Sequence, residues 1–196
     1  MSTSRLLIRK GYHVVNVARH FPGDKDILYT SIWAGAHYRP IPDTDALTRR
    51  VADFARATYP AFKEIAETDV SSGVKMLDGY EYLDDPSGDY DAHKWGRYAE
   101  IDGFQVIEES QLPTGTKFGT KYKTYCVNPP VYLAWLEREL VLGGVQFIRR
   151  DLTCIAEVFP LIKDPDVQLV VNCSGIGFSD PDVFPTRGPS TCGELC

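Results

Sequence analysis

Thr30 and Ser31 form an adjacent hydroxyl pair, with Gly35 close behind in the run Thr30-Ser31-Ile32-Trp33-Ala34-Gly35-Ala36-His37-Tyr38. Hydroxyls and main-chain N–H groups suit phosphate oxygens, and a glycine lets a flat or charged group come against the backbone. A turn that uses small residues only for packing would fit the same run. Gly175-Ile176-Gly177 is a second glycine pair, but Asp180 stands where a full dinucleotide fingerprint has its third glycine, so a strand-end turn explains it equally well. Arg149-Arg150 suits a solvated strand end better than an anion site. His13, His20, His37 and His93 are not paired at metal-ligand spacing, so no metal site is expected. No serine sits in a G-x-S-x-G setting, so no hydrolase elbow is expected. The cysteines, Cys126, Cys154, Cys173, Cys192 and Cys196, are odd in number and widely spaced. They are expected to be reduced thiols of an intracellular protein, not a disulfide or zinc framework.

The elements that must carry these residues follow from hydrophobic period and turn chemistry. Residues 4–10 suit the end of a helix, with Gly11 as its left-handed stop. Tyr12 to Ala18 is β-branched and apolar, as a buried parallel strand is. Pro22-Gly23-Asp24 then supplies a turn within the polar stretch Arg19 to Lys25. Asp43 or Thr44 would cap a helix carrying Leu47, Val51, Phe54, Ala55 and Tyr59 at helical spacing. Pro60 should kink or end that helix, although Phe62, Ile65 and Ala66 continue the pattern. Strands are expected at 74–82, 103–109, 117–127, 145–150 and 167–173. A helix is expected from Pro129-Pro130 to about Leu142, closed by Gly143-Gly144. Apolar strands at both ends around an antiparallel middle suggest a split nucleotide-binding domain with an insert.

Composition narrows the function classes. The 196 residues are 43% hydrophobic and 24% charged, an ordinary globular mixture. The net charge of -6 argues against nucleic acid as the main partner. No apolar run is long enough for a membrane span, and the Leu6-Leu7-Ile8 run is too short for a signal peptide.

Four segments carry a resemblance: KGYHVVNVARHFPGD (10–24), YTSIWAGAHYRP (29–40), YKTYCVNPPVYLAWLERELVLGGVQFIRR (122–150) and LVVNCSGIGFSDPDVFPTRG (169–188). In these the chain resembles the D-amino-acid oxidase family, especially its fungal members, which depend on FAD. The resemblance implies an α/β fold. It comprises an incomplete FAD-binding, Rossmann-like domain of the glutathione-reductase type over 1–70 and 128–188, and part of an inserted antiparallel α+β substrate domain over 71–127. Residues 189–196 depart from the pattern as a tail.

The resemblance also implies a cofactor site. Arg19 falls near the adenosine, and Leu152 matches a residue whose backbone meets the adenine. Thr30 and Ser31 match a pyrophosphate-contacting pair, while Gly35 and His37 lie along the isoalloxazine, with Trp33 beside them. His20 stands where many members have an acidic group for the ribose. The implied reaction oxidises a D-amino acid or related amine to an imine and then a 2-oxo acid, with dioxygen as acceptor and hydrogen peroxide as product. Catabolism or fungal secondary metabolism would be its setting, peroxisomal in full-length members and cytoplasmic for this sequence.

The family opens with a strand and a G-x-G-x-x-G turn, whereas this sequence begins in the helix that follows and diverges after Gly188. Truncation at both ends is therefore expected, with strands 12–18 and 167–173 flanking an absent strand and flavin held weakly. No residue is expected to be catalytic. A non-catalytic truncated product is the alternative.

Overall fold

The computed structural model describes residues 1–35, 37–39, 45–86, 101–162, 167 and 169–175. The chain is a mixed α/β structure, and among the described residues it forms one parallel and one antiparallel sheet. Two compact units are present, one comprising Met1–Asp26 and Glu137–Cys196, the other Ile27–Leu136.

In the first unit, α1 (Ser2–Arg9) ends with Arg9 in its last turn, where a cation faces the negative end of the helix dipole. Gly11 follows at φ +85°, the left-handed stop the sequence suggests. Strand β1 (Val15–Ala18) is shorter than the expected 12–18 span. The Ser4 hydroxyl donates to Asn16 Oδ1 at 2.6 Å, tying α1 to β1. Strand β5 (Gln146–Arg149) pairs with β1 in parallel, from Val15 opposite Gln146 to Ala18 opposite Arg149. Leu140, Val145, Phe21 and Val158 are buried in this unit, the last at the start of α4 (Val158–Ile162).

The expected strand 167–173 is not seen. Val167 and Leu169–Cys173 have no ladder partner among the described residues. Leu169 and Val171 are 72% and 46% exposed. An apolar run becomes a strand only where a neighbouring edge takes its N–H and C=O groups. The described pairing of β1 is with β5, not with a strand shared with 167–173.

In the second unit, α2 (Ala46–Thr68) opens on Asp45. Its carboxylate accepts from Leu47 N at 2.7 Å and Thr48 N at 2.9 Å, and the Thr48 hydroxyl accepts from Asp45 N, a complete capping box. Asp45 thus does the capping expected of Asp43 or Thr44, which lie outside the described residues. Helix α2 runs through Pro60 because packing beyond it holds the last turns. Ile65 is buried, and Phe62 stacks on Tyr125 with ring centroids 4.7 Å apart.

The antiparallel sheet has the order β2-β4-β3, formed by β2 (Val74–Leu83), β3 (Gln105–Val106) and β4 (Phe118–Val127). The expected 103–109 strand is therefore only two residues long. Glu81 stands opposite Thr120, and Gly79 opposite Tyr122. A Cβ on Gly79 would come within 2.8 Å of the Tyr122 ring, so glycine is what lets that ring lie across the sheet. Helix α3 (Pro129–Leu142) matches its expected span and ends at Gly143, with Gly144 at φ +80°.

Candidate functional site

The hydroxyl run begins in a 3-10 turn, Thr30–Trp33, on which Thr30 and Ser31 are exposed. Gly35 follows in extended surroundings, and a Cβ built on it meets nothing within 4 Å. Neither packing nor a left-handed φ therefore requires glycine there. The backbone at Gly35 is open, as it also is at Gly11, Gly23, Gly115, Gly144 and Gly175.

The run is then pinned to β4. His37 bridges to Cys126, Tyr38 N–H donates to Tyr125 O at 3.1 Å, and the buried Thr124 hydroxyl donates to Tyr38 O at 2.6 Å. The Tyr38 ring stacks on Tyr125 at 5.4 Å and leans on Tyr59 at 5.2 Å. Burial pushes the Tyr38 phenol up, and pushes those of Tyr122 and Tyr125 up to about 12. These rings are thus uncharged anchors.

Arg39 reaches the sheet face, its Nε lying 3.7 Å from Glu81 Oε1. Glu81 Oε2 and the opposite Thr120 Oγ1 are buried with no hydrogen-bond partner among the described residues. Burial raises the Glu81 carboxyl, and Arg39 opposes that rise.

In the other unit, the carboxyl ends of β1 and β5 bring Arg19 and Leu152 to one edge. This is the end at which open α/β sheets present ligands. Arg19 Nε donates to His20 Nε2 at 3.0 Å, and its guanidinium lies 3.6 Å from Asp151. Leu152 comes next, half-buried. Arg149, the last residue of β5, donates to Arg19 O at 3.0 Å and to Asp24 Oδ2 at 2.5 Å. The Arg149 hydrogen bond, and after it the Phe21 N–H, hold the Asp24 carboxyl below the usual carboxylate range. His20 Nδ1 is 3.7 Å from the same Asp24 oxygen.

The six expected cofactor residues thus form two groups, each within its own unit: Arg19 with Leu152, and Thr30, Ser31, Gly35 and His37. Residue type alone does not single out Asp24, Arg39, Glu81 or Thr124, and Arg149 is, as expected, an exposed strand end, the last residue of β5. The signal for Arg149 was its place at the end of a strand that pairs with β1, which only the register reveals. Among the described residues, no group of three or more His, Cys, Asp or Glu is placed to hold a metal ion, and Cys126, Cys154 and Cys173 are free thiols.

Comparison with protein-family models gives no match. Curated proteins do match. The chain is 40% identical over 156 residues to a D-aspartate oxidase of Talaromyces thermophilus, covering 79% of the chain and 42% of that protein. It is 34% identical over 179 residues to a D-amino-acid oxidase of Schizosaccharomyces pombe, covering 88% and 49%. A D-amino-acid oxidase of Fusarium vanettenii is 27% identical over 208 residues, covering 95% and 55%. The chain belongs to the D-amino-acid oxidase family. It spans about half the length of the curated family members it matches. Five of the six expected cofactor residues fall in segments that carry the family resemblance, 10–24 and 29–40, and Leu152 lies just beyond the segment 122–150.

Proposed function

We propose that this chain supplies the adenosine-binding strand ends and the flavin-facing segment of an FAD-dependent oxidase acting on a D-amino acid or a related amine. The similarity to two D-amino-acid oxidases and a D-aspartate oxidase over most of the chain carries this reading. Residues 1–70 and 128–188 would serve a Rossmann-like FAD-binding part and 71–127 a substrate part.

Each group by itself offers groups of the kind FAD takes. Thr30 and Ser31 offer exposed hydroxyls for the pyrophosphate, and the backbone at Gly35 is open to a flat ring. Arg19 and Leu152 share the strand end where an adenosine would lie. FAD, when bound, supplies the hydride acceptor, so that the amine becomes an imine that hydrolyses to a 2-oxo acid while dioxygen becomes hydrogen peroxide. The protein groups bind and orient. The Tyr38–Thr124 and Tyr38–Tyr125 bonds hold the end of the flavin-facing segment on β4, so its hydroxyls and open backbone keep their places. His37 lies exposed beside that segment.

The test uses the protein expressed from its own gene. FAD affinity, read from quenching of flavin fluorescence, should fall in Ser31→Ala and in Gly35→Val while circular dichroism of both apo-proteins stays unchanged. Gly35→Val has room for its Cβ in the apo state, so lost flavin with a retained fold separates ligand approach from packing. Unchanged flavin affinity in both variants would sink the site assignment. A D-amino-acid panel read by peroxide release tests the reaction, and no peroxide from any member, with flavin bound, counts against it.

A further inference from the structure

The Arg149–Asp24 pair lies at the root of the segment that carries Arg19. Arg149 closes β5 opposite Ala18, and its guanidinium satisfies two groups of the neighbouring loop at once. It donates to the carbonyl of Arg19 at 3.0 Å and to Asp24 at 2.5 and 3.4 Å. Asp24 in turn accepts from Phe21 N at 2.9 Å, while Asp24 N donates to Phe21 O at 3.1 Å. Gly23 makes the turn between them at φ +97°. The Phe21 ring is buried, meets Phe147 edge-on at 5.3 Å and lies 5.3 Å under the Arg149 guanidinium. One planar cation therefore ties both ends of the Arg19–Asp24 loop to β5. A guanidinium suits this because its fixed fork addresses several acceptors together, which an ammonium cannot do in the same geometry.

We propose that Arg149, through Asp24 and the Arg19 carbonyl, is a positioning residue that presets the Arg19 loop for the adenosine half of the dinucleotide. This rests on the cofactor reading above. Its distinctive consequence is that Arg149 affects FAD and not FMN, which lacks the adenosine. A merely structural ion pair would change both flavins alike, or neither.

The experiment compares Arg149→Gln, Arg149→Lys and Asp24→Asn with the unaltered protein, all expressed from the native gene. Each is titrated with FAD and with FMN, and amide hydrogen exchange is followed at Phe21 and Asp24. In Arg149→Gln the FAD dissociation constant should rise about tenfold, the scale of one lost strong polar interaction. FMN affinity should hold, and Phe21 N–H, held by Asp24, should exchange faster. Arg149→Lys should recover only part of the FAD affinity. The double variant Arg149→Gln/Asp24→Asn should lose less than the sum of the single losses. Equal weakening of FAD and FMN, or faster exchange with unchanged FAD affinity, overturns the positioning role. Unchanged exchange overturns the clamp itself. If the unaltered protein takes up neither flavin, the cofactor reading fails and the positioning role fails with it. The exchange rates then show whether the clamp exists as a purely structural device.

Discussion

Thr124 is fully buried on β4, and its hydroxyl donates 2.6 Å to the carbonyl of Tyr38, the residue that ends the Thr30–Tyr38 run. Thr124→Val keeps the shape and the β-branching that suit a strand and removes the donor alone. Exchanging one hydrogen bond for water contacts changes little, but valine leaves the Tyr38 carbonyl buried against a methyl group. A buried acceptor left without its donor costs about 1–3 kcal/mol. At about 2–4 °C per kcal/mol for a chain of this size, the melting temperature should fall by about 2–12 °C. Thr124→Ser is the control, since it keeps the donor and loses one methyl, about 1 kcal/mol with its small cavity. The decisive measurement is local. The Tyr38 N–H bonds to Tyr125 O beside the lost contact, so its exchange should quicken in the valine variant and not in the serine one. FAD affinity should weaken in parallel, because the segment loses its side-chain tie to the sheet. A valine variant within about 0.5 kcal/mol of the unaltered protein, the scatter of a neutral substitution, would refute the reasoning. So would equal Tyr38 exchange in the two variants.

Glu81 gives a pH prediction. Burial raises its folded-state carboxyl pKa against the opposing pull of Arg39, so its contribution to stability is full below the ordinary carboxylate pKa and is lost as pH rises through the raised value. Urea midpoints should therefore show the unaltered protein gaining on Glu81→Gln as pH falls from about 7 to about 5, toward the ordinary glutamate value; a constant difference across that range would contradict the assignment. Tyr122 and Tyr125, pushed up to about 12 mainly by burial, stabilise the fold below the ordinary tyrosine value and withdraw that stability as pH rises through about 12. Tyrosinate absorbance during alkaline titration should show Tyr38, Tyr59, Tyr122 and Tyr125 titrating late among the 11 tyrosines, Tyr122 and Tyr125 last, and Tyr122→Phe should move alkaline unfolding to higher pH.

What the sequence made legible was local. Gly11 at a positive φ, α3 from Pro129 to Leu142, and the long β2 and β4 all follow from turn chemistry and period, which depend on near neighbours. What it hid depends on pairing. The apolar run 167–173 has the composition of a buried strand, but a strand is a relation between two edges, and its described residues have no ladder partner. Pro60 had the opposite fate. Its local penalty in a helix interior is real, yet stacking of Phe62 on Tyr125 and burial of Ile65 carry α2 through it. The candidate site divides along the same line. Thr30, Ser31 and Gly35 could be singled out by residue type, since hydroxyls beside a glycine announce themselves in one dimension. Arg149 and Asp24 stand 125 residues apart, and only the parallel register of Ala18 with Arg149 brings them together. In isolation each is an unremarkable surface charge; as a pair they bond to each other while Arg149 also donates to the Arg19 carbonyl. Residues whose type suggests a ligand are therefore easier to single out from sequence than the residues that hold their segments in place. In this chain the latter, Arg149, Asp24 and Thr124, are where substitution should separate binding from folding most cleanly.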